Sequence, residues 1–182
     1  IQYVFFTWFL IFFIITVDVL IELIFGQNTI GFSTSLEGRI SSFFGDELVV
    51  GSFYCGFALF SLSYLIKKKV NIFILCASIL VIILISFFIG ERSSFIRLFF
   101  SIIVFTFIVI NLHFLKKILL FSVLISFMVV FLSLNQTYKY RYIDQFKKIY
   151  SKDGISFFLK ETTYGKHYEV ALKIFKEYPL FG

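Results

Sequence analysis

The sequence predicts an all-α membrane protein: a polytopic bundle of about five transmembrane helices, followed by an extracytoplasmic loop containing amphipathic helices. Three observations predict it. Hydrophobic residues make up 59% of the chain, Phe alone contributing 29, and the mean hydropathy of +0.95 lies far outside the soluble range. Several apolar runs approach or exceed the roughly 20 residues that a helix needs to cross a hydrocarbon core of about 30 Å. Most of the charges fall between these runs and after the last one.

The first span runs near 3–25 and is uncharged until Asp18 and Glu22, which lie four apart on one helical face close to its end. Two readings are open for that pair, acids at a membrane interface or the lining of a polar cavity. Gln27 to Gly45 is rich in Gly and Ser, too polar to span and too long for a tight turn, so it reads as an interfacial or re-entrant loop. Arg39 is its only basic residue. The second span, near 48–66, ends at Lys67-Lys68-Lys69.

The third span, near 70–89, carries no charge. It reaches a polar break, Gly90-Glu91-Arg92-Ser93-Ser94, which makes the tip of a hairpin. Arg92 sits on that tip, and Arg97 lies about a turn and a half beyond it, in the fourth span, near 95–115. An arginine drawn toward lipid costs about 2.5–3.5 kcal/mol, so it faces protein, water or an anion; pairing with Glu91 and snorkelling to headgroups are the alternatives for Arg92. Lys116-Lys117 closes the fourth span, where His113 reads as a packed or interfacial residue, and the fifth runs near 118–134.

Five crossings put Lys67–Lys69 and Lys116–Lys117 on one side, and Arg39, Arg92 and everything after Asn135 on the other. The lysine loops hold five basic residues and no acids, which places them in the cytoplasm. The basic tail after the fifth span counts the other way, but long translocated segments are less bound by that rule. Residues 1–134 are thus the bundle and 135–182 the start of a large periplasmic loop. In that loop Ile143, Phe146 and Ile149-Tyr150 repeat at helical spacing, as do Val170-Ala171, Ile174-Phe175 and Tyr178, with Gly154 between them. Both read as amphipathic helices; their aromatic surface suits either a membrane interface or sugar stacking. The chain begins inside an apolar run and stops at Pro179-Leu180-Phe181-Gly182, and is expected to be a piece of a longer protein.

Cys55 and Cys76 lie within spans and read as small hydrophobes. The net charge of +6 marks loops and anionic headgroups rather than a nucleic-acid partner. The sequence has no Gly-rich phosphate loop, no metal-ligand spacing and no Ser-His-acid set. His167 has no evident partner, and no general base can be assigned. What remains is Arg39 and Arg92 on one side. Two guanidinium forks suit an oligophosphate.

Gly38-Arg39-Ile40-Ser41-Ser42-Phe43-Phe44-Gly45, the turn Gly90-Glu91-Arg92-Ser93-Ser94, and Tyr168 to Gly182 with its Pro-Leu-Phe-Gly ending carry a resemblance. In that order the chain resembles the O-antigen ligase and polymerase family, multi-pass glycosyltransferases of the bacterial cytoplasmic membrane, from about Gly31 onward. The resemblance implies a glycan donor on a polyprenyl diphosphate and a glycan or lipid A-core acceptor, with no metal or other cofactor. It implies that Arg39 and Arg92 hold the diphosphate and stabilise its departing charge, with Arg97 as a further substrate contact. The family's histidine beyond the large loop falls past the last residue of this sequence, so that role is unfilled, and His167, which precedes the Pro-Leu-Phe-Gly segment, does not match it. Glu91 departs from the small or apolar residue expected before the arginine. The competing readings are a transporter or flippase, with Asp18, Glu22 and the arginines lining a path, and a scaffold whose arginines touch only headgroups.

Overall fold

The computed structural model describes residues 2–34, 36–47, 49–144, 147, 160 and 163–179. The chain divides into two compact units, Ile1–Thr137 and Tyr138–Gly182. In the first, five helices follow one another: α1 (Gln2–Phe25), α2 (Val50–Lys67), α3 (Ile72–Ile89), α4 (Arg92–Val109) and α5 (Phe114–Leu134). All five are long and apolar enough to cross a membrane, and the protein is a multi-pass, all-helical membrane protein. Among the described residues there is no strand.

Helix α2 is the centre of the bundle, packing on α1, α3 and α4. Its buried positions Gly51, Tyr54, Ala58, Ser61 and Leu62 recur every three or four residues and so share one face. Three of them are small. In lipid, helices gain little from burying apolar surface against one another, so close approach over small residues supplies the association. Helix α4 answers with Ser94, Leu98, Ile102 and Thr106, a stripe stepping by four. Ring pairs join α1 to α2: Phe5 with Phe60, Trp8 with Phe57, Phe12 with Tyr54. As the α1 number rises its α2 partner's falls, so the two helices are antiparallel. Across this seam the Tyr54 hydroxyl bonds with Thr16 Oγ1, which donates to the Phe12 carbonyl.

The apolar residues left exposed, such as Ile108 and Leu119, are those a lipid solvent would cover. Helix α5 touches α4 only lightly. Its Phe131 ring meets Phe87 and Phe88 at the end of α3.

Three boundaries differ from expectation. The fourth span stops at Val109 rather than Leu115, because the chain turns extended at Ile110 and runs through the polar Asn111 and His113 without helix. Lys116 and Lys117 therefore belong to the first turn of α5, where their amides donate to the His113 carbonyl. Lys117 is buried, its Nζ giving a 3.1 Å hydrogen bond to the Phe107 carbonyl and lying 5.5 Å from the Phe107 ring centroid. It satisfies a carbonyl that the end of α4 would leave orphaned. The polar break after α3 is also shorter than five residues. Gly90 closes α3 with φ 76, Glu91 is extended, and Arg92 already opens α4.

At the other end, α2 finishes in a Schellman turn: Val70 N–H bonds the Leu65 carbonyl and Lys69 N–H the Ile66 carbonyl. Lys69 takes the left-handed position, φ 53, that glycine usually fills. Asn71 then caps α3 by accepting from Phe73 N–H at 3.0 Å.

In the second unit α6 (Thr163–Glu177) is helical where the apolar spacing expected it. Val170, Ile174 and Phe175 are exposed, and Lys173 and Glu169 pair at 2.9 Å on its surface. His167 lies within its second turn. Most of the expected earlier amphipathic helix (Phe146, Ile149, Tyr150), the Gly154 break and the terminal Leu180-Phe181-Gly182 lie outside the described residues.

Candidate functional site

Chain direction puts the end of α1, the start of α2, the end of α3 and the start of α4 at one mouth of the bundle. The polar residues gather there. Asp18 and Glu22, the pair read from the sequence, are 1% and 5% exposed. They face the loop 26–47. Asp18 Oδ1 accepts from Thr29 N–H (2.9 Å) and Thr29 Oγ1 (2.5 Å), and Oδ2 accepts from Ser42 Oγ at 2.6 Å. Glu22 Oε1 accepts from Ser41 N–H and Ser41 Oγ at 3.1 and 3.2 Å, and Oε2 from Ser42 N–H at 2.6 Å.

Asn28 completes the arrangement. Its Oδ1 accepts from Ile30 and Phe32 N–H, and its Nδ2 donates to the Ser42 carbonyl at 2.7 Å. Ser42 is thus held by all three of its polar groups. It needs to be: its φ of 49 is left-handed without glycine's freedom. Such a conformation costs on the order of 1–3 kcal/mol and persists only where its surroundings over-determine it.

Beside this clamp, Ile40 N–H donates to the Ile89 carbonyl at 3.2 Å. That one bond joins the arginine loop to the arginine turn, for Arg39 precedes Ile40 and Arg92 follows Ile89 by three residues. At ~3.8 Å per residue, the two arginine backbones lie no more than roughly 20 Å apart by this path. Both side chains are half-buried. Arg97 is exposed, and its guanidinium turns back along its own helix to the Ser93 carbonyl (3.3 Å) and Ser94 Oγ (3.2 Å).

Glu91 fills the gap between α2 and α4. Its Oε1 accepts from Ser52 Oγ at 3.0 Å and Ser94 Oγ at 2.6 Å. Its Oε2 is buried against Gly51. The structure therefore shows Glu91 on serines of α2 and α4, a packing role that sequence reasoning missed. Asn28 and Ser42 were missed too, because nothing in their spacing announces a partner so far along the chain.

At the opposite mouth, Tyr3, Phe5, Phe6, Tyr64, Lys67 and Lys68 line a cleft of about 350 Å³. Its lysine ammoniums lie 5.8 Å from the Phe5 ring centroid and 5.6 Å from that of Tyr64. No group of three or more metal-binding side chains occurs among the described residues. His113 stands at the start of α5 with its carbonyl engaged by Lys116 and Lys117. Set against models of known protein families, curated proteins and solved structures, the chain matches none.

Proposed function

We propose that this chain is part of a membrane glycosyltransferase of the O-antigen ligase or polymerase type, working at the outer face of the bacterial cytoplasmic membrane. It takes glycan from a polyprenyl-diphosphate carrier and passes it to a hydroxyl of another glycan or of a lipid A core. The observation that carries the reading is the Ile40–Ile89 hydrogen bond, which puts an arginine-bearing loop beside an arginine-bearing turn at one mouth of a lipid-embedded bundle. Polyprenyl chains partition into bilayer, and their diphosphate stays at the interface. Two guanidinium groups there present paired N–H forks to its oxygens. When the glycosyl bond breaks, charge accumulates on the diphosphate, and donors already in place stabilise it more than they stabilise the bound donor.

The transporter reading is weakened by the two acids it relies on. All four oxygens of Asp18 and Glu22 are engaged by loop donors, so neither faces an open path.

The test is Arg92→Ala in the complete protein, expression verified, with purified protein and radiolabelled lipid-linked donor. Loss of a desolvated donor to a leaving oxyanion costs about 10²–10³-fold in rate. Transfer at the wild-type rate would reject the assignment, and product formation by the wild type separates an enzyme from a transporter or scaffold.

A further inference from the structure

We infer that Asp18 and Glu22 are positioning residues: together with Asn28 they lock Ser42 in its left-handed conformation and so hold the Arg39 loop against the arginine turn. The inference rests on the proposed reading only for what the loop presents; the locking itself stands on the geometry. Loop residues 28–32 and 41–42 direct five backbone amides (Thr29, Ile30, Phe32, Ser41, Ser42) to side-chain oxygens of Asp18, Glu22 and Asn28. None of these amides has a helical partner. Irregular backbone at a membrane mouth is tolerated where its polar groups are satisfied by protein, and these three side chains do that. The sequel is directional: Ser41 and Ser42 fixed on Glu22 leave Ile40 buried, at 4% exposure, with its amide on Ile89. Arg39 follows from there.

The two acids differ in what can replace them. Both Glu22 oxygens accept from backbone N–H groups, which only donate. A glutamine turns one of those acceptors into an NH₂, donor against donor. At Asp18 both N–H and hydroxyl of Thr29 fall on Oδ1, while Oδ2 meets only the Ser42 hydroxyl. A hydroxyl accepts as readily as it donates, so asparagine fits with its carbonyl toward Thr29 and its amide toward Ser42. An acid placed here only for charge would give the two amide variants alike.

The experiment replaces Cys55 and Cys76 by serine and puts a reporter cysteine at Ile40, buried, or at Glu37, exposed. Native membranes are then labelled with a thiol-reactive maleimide. Asp18→Asn should leave the Ile40→Cys reporter as protected as in the parent, whereas Glu22→Gln should speed its labelling by about tenfold or more through local opening. The Glu37→Cys reporter labels at one rate throughout. In the transfer assay Glu22→Gln should lower kcat at unchanged yield of monodisperse protein, with Asp18→Asn close to wild type. Equal protection in both amide variants, or loss of it in both, overturns the inference. Should Glu22→Gln fail to accumulate, Asn28→Asp takes its place: it turns the donor to the Ser42 carbonyl into an acceptor, oxygen against oxygen, so its Ile40→Cys reporter must label faster than that of Asp18→Asn or the inference falls. The enzymatic reading fails separately, by a fully active Arg92→Ala protein, and that result leaves the labelling contrast intact.

Discussion

Gly51→Ala tests the packing of α2 against the turn that carries Arg92. A Cβ on Gly51 would lie 2.4 Å from Glu91 Oε2, 2.7 Å from Glu91 Cβ and 3.0 Å from Glu91 Cδ. Carbon atoms in contact sit about 3.5–4.0 Å apart, so the Cβ pair is short by roughly 1 Å. The carboxylate can swing aside, but the Glu91 Cβ is fixed to the backbone that starts α4. Relief therefore needs α2 and the α3–α4 turn to move apart, at a typical overpacking cost of about 1–3 kcal/mol. Part of that is offset, since alanine is the better helix former by about 0.8–1 kcal/mol.

Gly56 removes the ambiguity: it lies on the same helix, and no heavy atom comes within 4 Å of where its Cβ would be. Gly56→Ala thus reports propensity alone, and the difference between the two variants isolates the clash. For a chain of this size about 2–4 °C of Tm accompanies each kcal/mol, so Gly51→Ala should melt several degrees below Gly56→Ala in detergent. Adding Glu91→Gly should restore most of that difference, and Glu91→Ala only part of it, because alanine keeps the Cβ. If both glycine variants melt together, the Gly51–Glu91 contact does not limit the approach of α2 to α4.

Two further outcomes are expected. Lys69→Gly should raise Tm, because a lysine at φ 53 pays the left-handed penalty of about 1–2 kcal/mol that glycine avoids, less the entropy glycine loses on folding; a fall in Tm would show that the Lys69 side chain holds the turn. For topology, single cysteines replacing Glu37 and Lys68, tested with membrane-impermeant maleimide on intact cells, should label only at Glu37; labelling at Lys68 would invert the proposed orientation.

The five spans were legible because each is a long apolar run, and lipid demands that such a run satisfy its own backbone. Their ends were less so. Lys116 and Lys117 read as a loop by charge, yet a lysine stem is apolar enough to be buried when its ammonium reaches a helix-terminal carbonyl, as Lys117 does at Phe107. Gly90 was a visible stop, but the serines after it looked like turn residues; Ser94 is instead buried in α4, its hydroxyl on Glu91. For Asp18 and Glu22 the four-residue spacing placed both on one helical face. What covers that face is a matter of tertiary structure, supplied by residues up to 24 positions later.

The same contacts give a reason for acids in that position. A non-helical loop at a membrane mouth has amides with no carbonyls in register, and an unmet buried amide is costly. Around Asp18 and Glu22, helix α1 cannot lend backbone acceptors, since those carbonyls are spent on its own turns, that of Glu22 on Gly26 N–H. It can lend side-chain ones, and a carboxylate offers more acceptor sites in less volume than any other side chain. Asp18 and Glu22, one turn apart, therefore meet two separate stretches of the loop, one at Thr29 and one at Ser41-Ser42. Between those stretches Ser33, Leu36 and Glu37 stay exposed and take no part in the clamp. The loop is thus fixed at its two ends by α1 and unconstrained by the clamp in the middle, and Arg39 sits where the fixed part resumes. An arginine placed two or three residues earlier would ride on the unclamped stretch, and under the proposed function its guanidinium would have to be ordered anew for each diphosphate.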